Sequence, residues 1–261
     1  MAQIATVNYH VHKPERQAFE LDVDGIVGKL VSPDLAPIQV QVADERLVDD
    51  RVRFAEASVG FATYPSEVHA FEEGRDWHQT YDAELTELLV SEVGAQEVII
   101  FDHTVRADDP NADRKPARNV HSDYSADGAN KRLVDILGED KAAEWSKGHF
   151  AFINVWRPVS AAINSAPLGF VHPSSVADQD WVLLDLVYPN RKGQIMGLVA
   201  NPDHEWIYRS KMTPDEVVFF NIFDNRGLPS IGHSALDMVE DPNIHTVRRS
   251  IESRTLVRYA A

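Results

Sequence analysis

Between Asp82 and Val93 the apolar positions Leu85, Leu88, Leu89 and Val93 recur at three- and four-residue steps, which predicts an amphipathic helix. Two shorter helical patterns follow, over 130–137 with Gly138 as the stop, and around 141–146. Elsewhere the period shortens to that of strands. In the first third, Ile38-Gln39-Val40-Gln41-Val42 alternates as a half-buried strand should, and the run from Gly25 to Val31 is a second short apolar segment. From Glu97 onward strand patterns dominate, at 98–101, 149–156, 181–187, 195–199, 206–208, 217–223 and 255–259. Turn signals separate them, among them Pro189-Asn190, Lys192-Gly193, Asn201-Pro202-Asp203 and Thr213-Pro214-Asp215. Many short strands at this spacing predict a mainly β protein with flanking helices and a double-stranded β-helix (jelly roll) core, the early helices packing on one sheet. A parallel α/β fold is disfavoured, because helical patterns do not alternate with the later strands.

Composition narrows the chemistry. The 261 residues, 44% apolar and 25% charged, fit one large domain, with no repeat, low-complexity tract or clear linker. No run reaches the roughly 18–20 apolar residues that span a bilayer. The N-terminus Met1-Ala2-Gln3-Ile4 lacks a basic segment followed by an apolar one, so the expected location is cytoplasmic, with no membrane partner. A formal charge of −16 is the wrong sign for tracking phosphates, which argues against nucleic acid. The same excess also serves solubility. With no cysteine, disulfides, thiolate zinc sites, iron–sulfur clusters and cysteine nucleophiles are excluded, and any metal must take His, carboxylate or water ligands.

His121-Ser122-Asp123 is the first candidate for such a site. At i and i+2 of an extended chain both side chains point to the same face, so one short segment can present two ligands to a barrel interior. An isolated H-x-D is common in a chain with eleven histidines, so a third ligand has to be argued. His204 sits in an Asn-Pro-Asp-His turn and His245 follows Asp241-Pro242-Asn243; both read as solvated turn residues. His233 follows Gly232 directly after an apolar segment, as expected of a chain entering a buried site. Two imidazoles and one carboxylate form the facial set that holds non-haem Fe(II) and leaves three positions open.

Fifteen residues after His233 comes Arg248, with Ser250 two further on, and in an extended segment Arg248, Ser250, Glu252 and Arg254 share one face. Such a polar face fits a binding site inside the barrel better than an apolar core. Arg matches a carboxylate with two charge-assisted hydrogen bonds and the hydroxyl adds a third, which suits the far carboxylate of 2-oxoglutarate. The competing reading is a structural ion pair between Glu252 and one of these arginines.

These residues also carry a family resemblance. The stretches Gly60-Phe61 with Tyr81-Asp82-Ala83-Glu84, Phe101-Asp102-His103-Thr104-Val105-Arg106, Val120-His121-Ser122-Asp123, Asn154-Val155-Trp156-Arg157-Pro158, Asp215-Glu216-Val217, Phe223-Asp224 and Arg249-Ser250-Ile251-Glu252-Ser253-Arg254 resemble the Fe(II)/2-oxoglutarate-dependent hydroxylase and desaturase family. That family contains the cephamycin-type cephem hydroxylases and related fungal secondary-metabolite oxygenases. The resemblance runs from about residue 55 to the C-terminus, and the Asn-Val-Trp-Arg-Pro and Arg-Ser-Ile-Glu-x-Arg strings are its most specific parts. It departs from the pattern at Asn225, where a serine is expected, and over 226–232.

The resemblance implies His121, Asp123 and His233 as iron ligands and Arg248 with Ser250 as the 2-oxoglutarate clamp. With no linker along the chain, one oxygenase domain over 1–261 is expected, with about 1–95 packing on a jelly-roll core of about 96–261. Fe(II), 2-oxoglutarate and O2 would then act on a small-molecule substrate, a natural-product intermediate or amino-acid derivative. Hydroxylation is the first expectation, ahead of desaturation or ring closure; because Asp123 supplies a carboxylate, no position is vacated for a halide and halogenation is disfavoured. Arg157, at a strand end, and Trp156 are candidate substrate contacts, as are His103 and Arg106 in the other resembling string. A homodimer is left open. Two rivals remain: a zinc-dependent hydrolase or lyase on the same three ligands, which leaves Arg248 and Ser250 without a task, and a jelly-roll binding protein with no catalytic metal.

Overall fold

Phe150 to Pro158 forms one strand, buried along its whole length, and its alternation organises the molecule. Phe150, Phe152 and Trp156 point into one apolar cluster, while Ala151, Ile153 and Val155 point into another on the opposite face. A strand covered on both sides reads as a continuous apolar run, which is how it stands in the sequence. The computed structural model describes residues 3–26, 29–47, 52–71, 74, 76–190 and 192–260.

Two sheets face each other. The larger runs in the order β1 (Gln3–His10), β4 (Leu35–Asp44), β12 (Trp206–Tyr208), β9 (Leu168–Val171), β14 (Gly232–Ala235), β7 (His121–Ser122), β11 (Lys192–Leu198), β10 (Trp181–Val187), β2 (Ala18–Leu21) and β3 (Leu30–Val31). The smaller runs β5 (Val59–Thr63), β13 (Glu216–Asp224), β8 (Phe150–Pro158), β15 (Arg249–Arg258) and β6 (Glu97–Ala107). Among the described residues four helices flank them: α1 (Phe54–Ala57), α2 (His78–Val93), α3 (Ala126–Leu137) and α4 (Glu139–Trp145). The mainly β jelly-roll architecture expected from the strand spacing is the one observed.

The helix expected at 82–93 starts one turn earlier, at His78, and ends at Gly94, whose φ of 73° supplies the left-handed cap. It lays Tyr81, Leu85, Leu88 and Leu89 on the outer face of the smaller sheet, against Ile153, Val155, Val217, Phe219 and Ile251. On the inner face, α3 and α4 add Ala129, Leu133, Ala142 and Trp145 to the cluster of Phe150, Phe152, Phe170 and Phe220. The Ser125 hydroxyl caps α3 by accepting from Gly128 N at 3.0 Å.

Several elements outrun the sequence pattern. β6 continues past Phe101 through Asp102, His103, Thr104 and Arg106, and β15 begins at Arg249, because the two are paired from Arg249↔Ala107 to Arg258↔Glu97. Polar residues are tolerated there since they form the floor of a polar site. β4 begins at Leu35 despite Pro37, which pairs only with Asn8 of β1 and so has no second ladder to satisfy. Lys192-Gly193, expected as a turn, is the start of β11, and of the run from Gly25 to Val31 only Leu30–Val31 is strand, Val27 and Gly28 lying outside the described residues. Among the described residues no helix is long and apolar enough to cross a membrane.

Candidate metal centre

Neighbouring strands carry the two histidines. β7 and β14 pair in antiparallel register with His121 opposite His233, so the two imidazoles lie on one face with ring centroids 4.4 Å apart. Opposite His121 on its other side is Gly197. The chain leaves β7 at Ser122, and Asp123 turns its carboxylate back to the same point: Asp123 Oδ1 lies 3.5 Å from His121 Nε2. One ligand atom from each of His121, Asp123 and His233 lies within 4.8 Å of the others, so a single ion can meet all three.

The tautomers are set from behind. The Nδ1 of His121 donates to Asn119 O at 2.8 Å, which turns Nε2 toward the Asp123 carboxylate. His233 Nδ1 makes a longer contact of 3.4 Å with Ile231 O. Burial, then the charge of His121, pushes the His233 imidazole down to about 3, so it stays neutral and ready to bind a cation. Gly232 allows this strand its position, because a Cβ there would stand 2.5 Å from Leu198 Cδ1.

Asp123 is oriented from the facing sheet. Its Oδ2 accepts from Asn154 Nδ2 at 2.9 Å and from Arg254 Nε at 3.1 Å, which turns Oδ1 toward the imidazoles. Arg254 is itself pinned by Asp102 at 2.6 Å, Glu252 at 2.6 Å and Thr104 Oγ1 at 3.2 Å. Burial alone would raise the Asp123 carboxyl; Arg254, followed by the His121 hydrogen bond and charge, outweighs it and holds the group well below the usual carboxylate range. A carboxylate held in its ionised form beside two imidazoles is the donor set of a divalent metal.

Arg248 and Ser250 occupy the same inner face, opposite Pro158 and Arg106 on either side of Ser250. Arg248 is 3% exposed, its guanidinium 5.3 Å above the Trp156 ring, and burial followed by the charge of Arg106 lowers it to about 9. Its Nε and Nη1, and the Ser250 hydroxyl, are buried without a hydrogen-bond partner. A buried cation and a buried hydroxyl left open cost several kcal/mol unless an anionic guest completes them. The ion pair weighed as the competing reading also exists, but between Glu252 and Arg254, leaving Arg248 and Ser250 free for the guest.

Of the four residues expected at the substrate site, Arg157 and His103 face away from the metal cluster, whereas Trp156 and Arg106 face inward. Arg157 falls at an odd position of β8 and points away from the metal cluster, donating to Tyr64 O at 3.0 Å and lying 5.4 Å above the Tyr81 ring under α2. His103 likewise faces α2, bonded to Asp82 at 2.9 Å and Ser253 at 2.8 Å. Neither is at the centre. Trp156 faces inward but is 1% exposed beneath Arg248, and Arg106 faces inward and is tied to Lys115 O at 2.9 Å. His204, read as a solvated turn residue, is buried between Tyr9 OH at 2.9 Å and Asp180 at 3.2 Å. His10 was not foreseen: it is 2% exposed, packs edge-on to Phe19 and onto Gly197, and both ring nitrogens lack partners. Only the strand crossing brings it there, and the local sequence carries no sign of it.

Comparison with known proteins agrees with this geometry. A family described as "Oxidoreductase/YMDC permease-like domain" matches residues 7–258. The hydroxylase/desaturase efuI of Hormonema carpetanum is 31% identical over 225 residues, 75% of each chain. The alpha-ketoglutarate-dependent dioxygenase phiK of a Fungal sp. is 27% identical over 237 residues, 84% of this chain and 83% of its own. Among solved structures, the iron and alpha-ketoglutarate-dependent endoperoxidase NvfI superposes with a TM-score of 0.85 at 21% identity, covering 100% of this chain and 99% of that one, a likeness of fold. The chain belongs to the Fe(II)/2-oxoglutarate-dependent hydroxylase/desaturase family that includes these fungal oxygenases.

Proposed function

We propose that His121, Asp123 and His233 bind Fe(II), that Arg248 and Ser250 bind the far carboxylate of 2-oxoglutarate, and that the enzyme hydroxylates a small natural-product intermediate or amino-acid derivative. The observation carrying the reading is the pairing of a His/Asp/His cluster with a buried arginine and hydroxyl whose donors are unspent, both inside the same barrel. Iron held by these three residues would, with 2-oxoglutarate and O2, supply the oxidative decarboxylation that yields succinate, CO2 and an oxidised substrate.

The chain's part is binding, orientation and exclusion of water. Asn154 and Arg254 dedicate one oxygen of Asp123 to hydrogen bonds and free the other for the metal. Asn119 fixes the His121 ring. Phe220 and Phe170, with ring centroids 4.8 and 6.4 Å from that of His233, line the centre with apolar surface and keep it dry. Arg248 and Ser250 set the direction from which the co-substrate enters. We read residues 1–261 as one oxygenase domain, since β1 and β4 are hydrogen-bonded into the same sheet as β7 and β14.

Succinate formation under Fe(II) and 2-oxoglutarate, measured with and without candidate substrates, tests the reading. His121→Ala and His233→Ala are each expected to abolish it. Equal turnover of some substrate with zinc and without 2-oxoglutarate would establish the hydrolase instead.

A further inference from the structure

We propose that His78, Asp82 and His103 form a second divalent-cation site, suited to zinc, which clips the first turn of α2 to the edge strand β6. One ligand atom from each lies within 4.8 Å of the others, as is also true of the His121, Asp123 and His233 cluster. His78 and Asp82 stand at i and i+4 of α2 and so share a helix face, and His103 rises from β6 beneath them. Two imidazoles and a carboxylate, with a fourth position for water, are a donor set that zinc takes readily.

Three features make the site built rather than accidental. The His103 side chain is 7% exposed and its Nδ1 is engaged by Ser253 Oγ at 2.8 Å, so Nε2 is held aiming at Asp82 Oδ1, 2.9 Å away. A metal-binding histidine has its far nitrogen anchored in this way. The rings are held by aromatic neighbours, with Trp77 4.0 Å from His78 and 5.1 Å from His103 between ring centroids, and the two imidazoles themselves 4.8 Å apart. The Asp82 side chain is 38% exposed, which gives an ion a route in.

Without metal, His103 Nε2 and Asp82 Oδ1 share a hydrogen bond; to take zinc the neutral imidazole carries its one proton on Nδ1, donated to Ser253 Oγ, and presents the Nε2 lone pair. The site lies on the α2 side of the smaller sheet, whereas Asp123 contacts Asn154 and Arg254 on the other side, so its role is to fasten a helix and not to take part in oxidation.

Zinc(II) titrated calorimetrically into the H121A/H233A double variant tests this with the other cluster removed. One equivalent should bind, at least about tenfold more weakly once His78→Ala is added, and zinc should raise the melting temperature of the double variant but not of the triple. Should the double variant fold poorly, the wild-type chain is expected to take two equivalents and His78→Ala one. Failure to bind a stoichiometric ion outside the His121 cluster, or binding unchanged by His78→Ala, would overturn the proposal and leave the His121 assignment untouched.

Discussion

Asp123 holds its charge because Arg254 stands behind it, and Arg254 is in turn tied to Asp102 and Glu252. Arg254→Met removes the cation and leaves Asn154 alone on Oδ2, so Fe(II) or Co(II) affinity should fall about tenfold to a hundredfold with far-ultraviolet dichroism preserved. Arg248→Ala acts on a different ligand. Losing a charge-assisted pair should weaken 2-oxoglutarate about tenfold to a hundredfold while metal affinity stays within error, as equilibrium titration can show. Away from the centre, burial followed by the charge of Asp44 raises Glu240 to about 7 against the opposing hydrogen bond from Lys211 N. A carboxyl that holds its proton more tightly folded than unfolded stabilises the fold fully below its unfolded value of about 4.5. That contribution is lost as pH rises through about 7. Glu240→Gln should therefore melt higher than wild type at alkaline pH and alike near about pH 4, below the unfolded value; a constant difference at every pH would remove Glu240 as the cause.

Among the elements, β14 and α3 frame the metal centre from either side. Gly232→Ala would set a Cβ 2.5 Å from the Leu198 Cδ1 methyl, so the buried Leu198 side chain must shift, and a loss of about 1–3 kcal/mol in chemical denaturation is the expected result. Ser125→Ala removes the cap of α3 just after Asp123 and should cost about 1 kcal/mol in chemical denaturation. The sequence reached the elements unevenly, for a physical reason. Strands such as Val217–Phe223 and the helix with Leu85, Leu88 and Leu89 announce themselves through apolar period. The polar halves of β6 and β15, from Asp102 to Arg106 and from Arg249 to Arg254, lack that signal because the face they line is a site and not a core. Residue parity nevertheless placed His121 with Asp123 and Arg248 with Ser250. Parity also decides Arg157 and His103, but only once the inner face is known: both sit one residue out of step with the metal side and point to α2.

The whole molecule places one centre between two sheets that the chain builds from distant parts. Asp123 arrives from the turn after β7, Asn154 from β8, His233 from β14 and Arg254 from β15, so no local stretch reports their meeting. The N-terminal strands add to this: Val7 and Tyr9 pack with Val171, Leu198 and Trp206 behind the strands that carry the histidines. Anaerobic addition of 2-oxoglutarate to the Fe(II)-loaded protein, followed in the near-ultraviolet to visible range, addresses the central claim most directly. A charge-transfer band should appear for the wild type, require more 2-oxoglutarate in Arg248→Ala, and vanish in His121→Ala and His233→Ala. No band in the wild type, or an undiminished one in either histidine variant, would contradict the assignment of this cluster as the iron and 2-oxoglutarate site.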